Sequence, residues 1–309
     1  MNIIKSMDEI TPEFRNSIVT IGNFDGVHLA HQNIFERVIS EALNQNKKSV
    51  VITFDPHPKK IIHPGKRPFF LITTLDEKLK LIEDMGIDAV ILIKFSLEFA
   101  RVTAGEFVRN ILWDKLHLKK IFIGHDYAFG RGKEGDEEFL KSFGDKLGFQ
   151  VEAIDAIKAD DIAISSTRTR HAILDGNVAL AARLLGRPYN VWGTVVKGYQ
   201  RGTGIGIPTA NIEPEKVIPA TGVYAIIAKI EGVRHPGVIN IGFNPTFSNE
   251  KLAIEAHLID FGGNIYEKCL DISFIDRIRG EVKFEGPEKL VEQIRIDIDK
   301  AKEILSPHF

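Results

Sequence analysis

Buried strand patterns and helical patterns alternate through the first half of the chain, and this alternation constrains the fold more than any other feature. Strands that alternate with helices build a parallel sheet whose faces are covered by the helices. In such a sheet, ligands bind at the carboxyl ends of the strands. The predicted strands are Ile18–Ile21, Ser49–Phe54, Ala89–Ile93, Lys120–Gly124 and Gln150–Ile154.

Helical signals fill the intervals between these strands. Thr74 with Glu77, and Thr103 with Glu106, form the Ser/Thr-x-x-Glu pattern of a capping box at a helix start. A further helix is predicted over Glu137–Leu147. The first interval holds apolar residues that share one helical face, namely Ile34, Phe35, Val38, Ile39 and Ala42.

The pattern changes after Tyr189, where short β-rich runs follow one another with Gly, Pro and Asn between them. No helical pattern returns until Pro287–Leu305. Short strands at close spacing predict a small antiparallel barrel, on which the terminal helix would pack. We therefore expect two domains, 1–186 and 187–309. The predicted barrel strands are Val191–Val196, Val223–Ile230, Val238–Ile241, Leu252–Ile259 and Leu270–Phe274.

Composition narrows the class of protein. The chain has 40 Lys and Arg against 42 Asp and Glu, and its hydrophobic fraction of 44% excludes a disordered or collagen-like chain. A net charge of −2 gives no support for nucleic-acid binding. No apolar run reaches the roughly 18 residues of a membrane helix, and Met1–Phe14 lacks the apolar core of a signal peptide.

Cys269 is the one cysteine, so the chain cannot form an internal disulfide, which fits a reducing compartment. We therefore expect a cytoplasmic protein without membrane or nucleic-acid partners. The sequence leaves the oligomeric state open.

A glycine-containing loop, Gly22–Gln32, joins the first predicted strand to the first helix. Its glycines allow a sharp turn and the close approach of a ligand, and a helix N-terminus offers N–H groups and a positive dipole end to phosphate. His28 and His31 are three residues apart, so they share one side of the first turn. Two imidazoles there can donate to a triphosphate. A metal pair and two surface histidines are the alternatives.

Three further segments lie at predicted strand or helix ends. Thr53–Pro58 ends the second strand, where a second substrate would lie, although a plain turn explains it equally well. Gly124–Arg131 offers aromatic surface for a flat ring, a carboxylate and a guanidinium, but aromatic residues beside a strand are more often core. Ser165–Arg170 places hydroxyls and Arg170 at a helix start, which fits a simple cap or a phosphate site. Two such helix starts in one domain indicate a nucleotide site.

The second half contains a glycine-rich stretch, Gly202–Asn211, that ends in a polar pair. Loops of this kind can fold over phosphates. Thr209 and Asn211 alternate along an extended chain, so their side chains face the same way. A hydroxyl and an amide oxygen suit a Mg²⁺ ion that keeps most of its waters and its nucleotide phosphates. A β-turn without a ligand is the alternative.

A single carboxylate stands out in the predicted strand near residue 255. Ile254 and Ala256 face one side of that strand, so Glu255 and His257 face the other. A carboxylate there can accept a proton from a hydroxyl nucleophile. A solvated strand face is the alternative. Gly222–Tyr224 and Asn240–Phe247 add tight turns and aromatic residues to the same half.

The chain resembles the prokaryotic bifunctional riboflavin kinase/FAD synthetase family along nearly its whole length. The second half resembles the kinase module, whose signature Pro-Thr-Ala-Asn is present at 208–211. The resemblance implies a Rossmann-like α/β domain of the His-x-Gly-His nucleotidylyltransferase superfamily, followed by a small antiparallel β-barrel kinase domain with a C-terminal helix. It implies phosphorylation of riboflavin to FMN and adenylylation of FMN to FAD, with ATP and Mg²⁺. The segments that carry it in the first half are Asn23–Gln32, Thr53–Pro58, Gly124–Gly130, Ser165–Arg170 and Leu184–Tyr189.

The resemblance also implies roles for individual residues. His28, His31 and Arg170 would stabilise charge during adenylyl transfer. Glu255 would be the base of the kinase, and Thr209 and Asn211 would hold its Mg-ATP. The implied ATP site of the first domain comprises Gly22, Phe24, Asp25, Gly26, His28, His31, Asp126, Ser166, Thr167 and Arg170, and that of the kinase comprises Gly202, Gly206, Pro208, Thr209 and Asn211. The implied flavin contacts are Phe54, His57, Pro58 and Tyr127 in the first domain, and Tyr224, Arg277 and Phe284 in the second.

Two departures from the family pattern bear on activity. Ala30 stands where the family usually has glycine, and its methyl group can alter the affinity for ATP. Thr203 stands where bacterial members usually carry arginine, which questions the strength of phosphate binding in the kinase module. One alternative is therefore an FMN adenylyltransferase with weak or lost kinase activity. Another is a flavin carrier without chemistry, which would have no need of His28, His31 or Glu255.

Overall fold

A computed structural model describes residues 1–63, 69–159, 161–196, 210–212, 216–243, 252–263, 265 and 268–309. The chain divides into two units, Met1–Ser166 and Thr167–Phe309. The predicted domain boundary at residues 186/187 lies further along the chain and stays a prediction about the two functional modules.

The first unit is built on a six-stranded sheet in which every strand pair is parallel. The spatial order of the strands is β1-β4-β3-β2-β5-β6. This confirms the predicted parallel sheet and adds β1, which was not predicted. The strands are β1 (Asn2–Ile4), β2 (Ile18–Ile21), β3 (Ser49–Asp55), β4 (Ala89–Lys94), β5 (Lys120–Gly124) and β6 (Gln150–Ile154). A separate antiparallel pair joins β7 (Lys158–Ala159) and β8 (Ile162–Ala163).

Helices connect these strands, and both predicted capping boxes form. The side chain of Thr74 accepts from the Glu77 N–H while Glu77 accepts from the Thr74 N–H, and Thr103 and Glu106 repeat the arrangement. The helices are α1 (Leu29–Asn44), α2 (Pro58–Ile62), α3 (Leu75–Asp84), α4 (Ala104–Glu106) and α5 (Glu137–Leu147). α4 continues as a π-helical segment, Phe107–Trp113, and short 3-10 turns occur at Met7–Glu9, Pro12–Phe14, Phe99–Arg101 and Arg131–Lys133.

The strand order reverses beside β2. From β2 the chain passes to β3 and β4 on one side, and then crosses to β5 on the other side of β2. All four residues of β2 are buried, so the strand is fixed in the middle of the sheet. The connections after β2 and β5 therefore diverge at their carboxyl ends, and such reversals are where open α/β sheets bind ligands.

The second unit contains a closed six-stranded barrel in which all neighbours are antiparallel, as predicted. The barrel order is β10-β13-β12-β11-β14-β9. Its strands are β9 (Tyr189–Val196), β10 (Ala210–Ile212), β11 (Gly222–Ile230), β12 (Val233–Phe243), β13 (Leu252–Leu258) and β14 (Cys269–Arg279). Helices α6 (Ser166–Leu174) and α7 (Val178–Leu185) precede the barrel, and α8 (Pro287–Leu305) follows it with a 3-10 turn at Ser306–His308.

Alternation along the strands separates two apolar layers of the barrel. Inside it, the Tyr224 ring meets the Phe274 ring edge-on at 5.5 Å, and Tyr189 stacks on Phe274 at 6.2 Å. Outside it, a second cluster joins barrel residues to α8, and it includes Val223, Ala225, Ile227, Val238, Ala301 and Leu305. The terminal helix thus covers an apolar outer face, as the sequence pattern predicted.

A buried ion pair fastens α8 to β14. Nε of Arg279 lies 3.0 Å from both carboxylate oxygens of Asp297, and Nη2 lies 2.8 Å from Oδ2. Gln293 donates to the same carboxylate at 2.9 Å. The Asp297 side chain is only 3% exposed, so loss of the arginine would leave a buried charge without its counter-ion.

We expect Arg279→Ala to lower the free energy of unfolding of the second unit by about 3 kcal/mol, because removing one partner of a buried pair strands the other. Calorimetry of the full chain measures the effect. Lys289→Ala is the matched control, since its ion pair with Glu292 on the same helix is exposed and contributes about 0–1 kcal/mol. Equal small losses in both variants would contradict the role given to Arg279.

Candidate active sites

The loop between β2 and α1 is held in an unusual backbone conformation. Phe24 and Val27 have φ values of 50° and 41°, which are costly for side chains of this size. The Val27 N–H donates to the Phe24 carbonyl at 3.2 Å, and the Gln32 amide donates to the Val27 carbonyl at 2.8 Å. A Cβ atom on Gly22 would lie 2.9 Å from the Phe24 ring, so the glycine leaves room for the turn.

Asp25 fastens this loop to the segment before α3. Its Oδ1 accepts the backbone N–H groups of Ile72 and Thr73 at 2.9 and 3.2 Å. The Gly26 N–H donates to the Thr73 hydroxyl at 3.0 Å. The carboxyl side chain is buried, and hydrogen bonds of this kind to a carboxylate are stronger than neutral ones. Asp25 therefore shapes the loop, whereas its implied contact with ATP stays a prediction.

His28 and His31 meet at the start of α1, as their spacing predicted. Their rings stack with centroids 3.5 Å apart. His28 is the N-cap residue, and its Nδ1 accepts the His31 N–H over a long 3.4 Å. In a neutral imidazole that acceptor role puts the proton on Nε2, which is then the donor nitrogen of His28.

His31 brings a buried ring nitrogen to the same helix start. Its Nδ1 is buried and, within the described ranges, has no hydrogen-bond partner. Burial lowers the pKa of His31 well below its usual range, and the nearby His28 and Lys78 lower it further. The ring is therefore neutral at pH 7 in this structure. A polyphosphate beside it would favour the charged form and raise that pKa.

Ser166 reaches the same loop from the end of the first unit. Its hydroxyl donates to the Asp25 carbonyl at 2.8 Å. The structure thus brings Ser166 to the loop that carries His28 and His31. Thr167 and Arg170 lie on α6 within the second unit, so their implied place at the phosphates stays a prediction. Ala30 lies in the first turn of α1 and is partly exposed.

Lys78 is a residue of this site that the sequence analysis missed. Its Nζ donates to the Thr53 hydroxyl at 3.0 Å and to the Asn23 and Phe54 carbonyls at 3.3 and 3.4 Å. A signal was present in the sequence, since Lys78 occupies a position of α3 that shares the buried face with Leu79 and Ile82. A lysine on an apolar helix face is unusual unless the ammonium has partners.

The end of β3 forms one wall of a cleft beside the loop. His57 caps α2, where its Nδ1 accepts the Lys59 N–H at 3.1 Å, and Pro58 is the first residue of that helix. The His57 ring lies 4.9 Å from Phe69. The predicted flavin contacts Phe54 and His57 both line this cleft, together with Asn23, Asp25, Asp55, Leu71, Thr73, Thr74, Leu75 and Lys78.

The residues that follow β5 differ in burial, since some are exposed to solvent and others pack against the core of the sheet. Asp126 is exposed in the turn that follows β5, the strand next to β2. Tyr127 stacks on Phe129 at 5.6 Å and packs against the core of the sheet. Burial raises the pKa of Tyr127, so its hydroxyl stays protonated. Tyr127 thus has a packing role, and its flavin contact remains a prediction.

In the second unit, a row of polar side chains crosses three neighbouring strands. Glu255 of β13 is directly opposite Asn211 of β10 on one side and Asn240 of β12 on the other. Residues opposite each other in an antiparallel pair share a face, with Cβ atoms about 5 Å apart. Ile254 and Ala256 are buried on the other face. The structure therefore brings Asn211 and Glu255 together and adds Asn240, to which the sequence analysis gave no site role.

Four predicted kinase residues, Gly202, Gly206, Pro208 and Thr209, lie outside the described residues. The described donors near Glu255 fit a Mg²⁺ ion that takes few protein ligands, because the side chains of Asn211 and Glu255 offer oxygen atoms. Among the described residues, no group of three or more His, Cys, Asp or Glu side chains could form an all-protein metal site. A Mg²⁺ ion held by Asn211 and Glu255 would take its other ligands from water or phosphate, and its presence stays a prediction.

The predicted kinase flavin contacts brace one end of the barrel. The Tyr224 side chain is buried, and its hydroxyl donates to the Ala220 carbonyl at 2.6 Å. Burial raises the pKa of Tyr224. Arg277 stacks over the Tyr224 ring and donates to the Thr221 carbonyl at 2.7 Å, while Phe284 lies against the Arg279 guanidinium. These contacts stabilise the fold, and a contact of the three residues with flavin stays a prediction.

These features define a class of protein. The first unit is a parallel α/β domain of the nucleotidylyltransferase type, with stacked histidines on the helix start at its strand-order reversal. An antiparallel six-stranded barrel with a C-terminal helix follows it.

Comparison with known proteins identifies the family. A family model for FAD synthetase matches residues 10–168, and one for riboflavin kinase matches residues 185–305. The bifunctional riboflavin kinase/FMN adenylyltransferase of Pseudomonas fluorescens is 35% identical over 309 residues, covering 99% of both chains. The protein of that name from Escherichia coli K12 is 36% identical over 93% of this chain and 92% of its own. This chain therefore belongs to the bifunctional riboflavin kinase/FMN adenylyltransferase family.

A solved structure shares the fold. A protein from Streptococcus pneumoniae, described as a macrolide-efflux protein, is 35% identical with a TM-score of 0.88, over 97% of this chain and 98% of its own. That description concerns the Streptococcus protein, and the likeness contributes the fold. In the part of this chain that the structure describes, no helix is both long and apolar enough to cross a membrane.

We expect acid to destabilise the first unit through His31. The unfolded histidine takes up a proton near pH 6.5, but the buried ring resists protonation, so folding stability falls as pH drops below that value. Between about pH 7.5 and 5.5, the free energy of unfolding of His31→Gln should fall by about 1 kcal/mol less than that of the wild type. Calorimetry at both pH values measures this difference. His125→Gln, at an exposed histidine, is the control, and equal acid sensitivity in all three proteins would refute the assignment.

Proposed function

We propose that this chain converts riboflavin to FAD in two ATP-dependent steps. The barrel unit phosphorylates riboflavin to FMN, and the sheet unit transfers AMP from a second ATP to FMN and releases pyrophosphate. The observation that carries the proposal is the match of an FAD synthetase model and a riboflavin kinase model to successive parts of one chain. The stacked His28–His31 pair and the Asn211–Glu255 pair supply each part with suitable groups.

For adenylyl transfer, an oxygen of the FMN phosphate attacks the α-phosphorus of ATP while the bond to the β-phosphate oxygen breaks. No side-chain nucleophile takes part, so catalysis depends on positioning and on stabilisation of charge. His28 donates from Nε2, and His31 offers its buried ring to the phosphates. Ser166, Thr167 and Arg170 complete the phosphate site, and Asp126 lies at the nucleotide. Phe54, His57, Pro58 and Tyr127 contact FMN.

For phosphorylation, Glu255 accepts the proton of the ribityl hydroxyl as that oxygen bonds to the γ-phosphorus and ADP leaves. Thr209 and Asn211 would hold a Mg²⁺ ion, which would neutralise phosphate charge when bound. The cross-strand position of Asn211 beside Glu255 supports this pairing of roles. Gly202, Gly206 and Pro208 surround the nucleotide, and Tyr224, Arg277 and Phe284 form the flavin side.

The wider setting follows from the same proposal. The functional modules are 1–186 and 187–309, and the protein works in the cytoplasm on small molecules, namely ATP, riboflavin and FMN. Neither nucleic acid nor a membrane is a partner. The near-neutral charge is compatible with these anionic ligands, because each needs only a local phosphate site.

We expect His28→Ala to reduce FAD formation from FMN by at least about 100-fold, because a donor to developing charge is lost. FMN formation from riboflavin should stay within twofold of wild type. Separating the flavins by chromatography measures both. His28→Asn is the second variant, since asparagine keeps a good N-cap for α1. Normal FAD formation in both variants would remove His28 from the mechanism.

We expect Glu255→Gln to act in the opposite way, with FMN formation reduced by about 100-fold or more because the base is lost. FAD formation from supplied FMN should be unchanged. His257→Gln is the matched control, as His257 lies on the same face of β13. Full kinase activity in Glu255→Gln would contradict the role of Glu255, whereas absent kinase activity in the wild type would favour an adenylyltransferase that has lost its kinase step.

A further inference from the structure

We propose that Lys78 is a positioning residue for adenylyl transfer, whose buried ammonium joins the loop after β2 to the end of β3 and sets a positive charge in the floor of the cleft between them. The proposal rests on the adenylyltransferase function proposed above. It concerns a residue that the sequence motifs did not mark.

The hydrogen bonds of Lys78 match the capacity of an ammonium group. Three N–H groups meet three acceptors, which are the Thr53 hydroxyl and the carbonyls of Asn23 and Phe54. Asn23 belongs to the loop after β2, and Phe54 lies near the end of β3. The Thr53 hydroxyl also donates to the Asn23 carbonyl at 3.2 Å. Lys78 therefore sets the spacing of two neighbouring strand ends.

Packing alone gives no reason for a lysine here. Lys78 is 7% exposed and shares its helix face with Leu79 and Ile82. A leucine or methionine would fill this position without the cost of removing an ammonium from water. Charge at this point therefore has a use beyond the packing of α3. Lys78 lines a small cleft together with the predicted FMN contacts Phe54 and His57.

Burial and the carboxylates near Lys78 act on the pKa of its ammonium in opposite directions. Burial lowers the pKa of Lys78 to about 8, against the opposing effect of the Asp25 and Asp55 carboxylates. His31 faces it from α1, and the cleft also carries His57. Asp76 and Glu77 precede it on α3. The ammonium is thus mostly charged at pH 7 and loses its proton as pH rises through about 8.

Lys78→Met tests the proposal, because methionine suits the apolar face and removes the charge. We expect kcat for FAD formation from FMN to fall at least tenfold, with KM for ATP changed less than threefold. FMN formation by the same protein should stay within twofold of wild type. The Tm should fall by no more than a few degrees, because the lost hydrogen bonds are offset by the saved cost of burying the ammonium. We expect wild-type FAD formation to decline as pH rises above about 8, where Lys78 loses its proton. The variant's remaining activity should show no such decline.

Two further variants separate charge from packing. Lys78→Arg keeps a positive charge at all accessible pH values, so it should retain more activity than Lys78→Met and move the alkaline loss to higher pH. Lys80→Met changes an exposed lysine of the same helix and should leave both activities unchanged. Failure of FAD formation in the wild type would overturn the proposed function and this inference with it.

The inference alone is overturned if Lys78→Met makes FAD within twofold of an active wild type. It is also overturned if the variant's activity falls only in step with its Tm, the arginine variant restores nothing and the pH profile is unaltered.

Discussion

The buried carboxylate of Asp25 is the interaction on which the first candidate site depends. It accepts hydrogen bonds from two backbone N–H groups of the segment before α3, and these bonds hold the loop after β2 against that segment. Ser166 binds the Asp25 carbonyl, and Lys78 binds the Asn23 carbonyl. A loop held at several points can keep positive φ angles that an unsupported loop would relax. The strained turn then places His28 at the start of α1, where the positive end of the helix dipole favours an anion.

In the barrel, the register of the strands positions the polar side chains of the second candidate site. In a closed antiparallel sheet, the register of each strand decides which side chains are neighbours, and a slip of one residue would reverse every face. The inner aromatic residues Tyr224 and Phe274 and the outer cover of α8 together fix that register. Asn211, Glu255 and Asn240 are consequently aligned in one row. The packing within each unit thus positions the polar residues of that unit. This arrangement suits a chain that performs two separate reactions, a phosphoryl transfer and an adenylyl transfer.

Much of this could be predicted from the sequence, and the exceptions have physical causes. Strands β2, β5 and β6 and helix α8 have the predicted bounds, because strong apolar periodicity and clear flanking turns define them. β1 was missed because it has three residues, of which only Ile4 is buried. β12 begins at Val233, whereas the predicted strand began at Val238. The prediction stopped short because Pro236 and Gly237 are typical of a strand break, yet the structure pairs both with β11. Lys78 and Asn240 could not be assigned to sites, since their importance depends on strands brought beside them only by the fold.

The most direct test of the account is the fate of labelled ATP in a reaction that starts from riboflavin. FAD made by two transfers on one chain should carry one phosphate from the γ-position of ATP and one, with the adenosine, from the α-position. Parallel reactions with γ-labelled and α-labelled ATP, followed by separation of the flavins, should therefore give FMN labelled only by the γ-phosphate and FAD labelled by both. A chain that forms no flavin nucleotide, or that forms FAD only when FMN is supplied, would contradict the account.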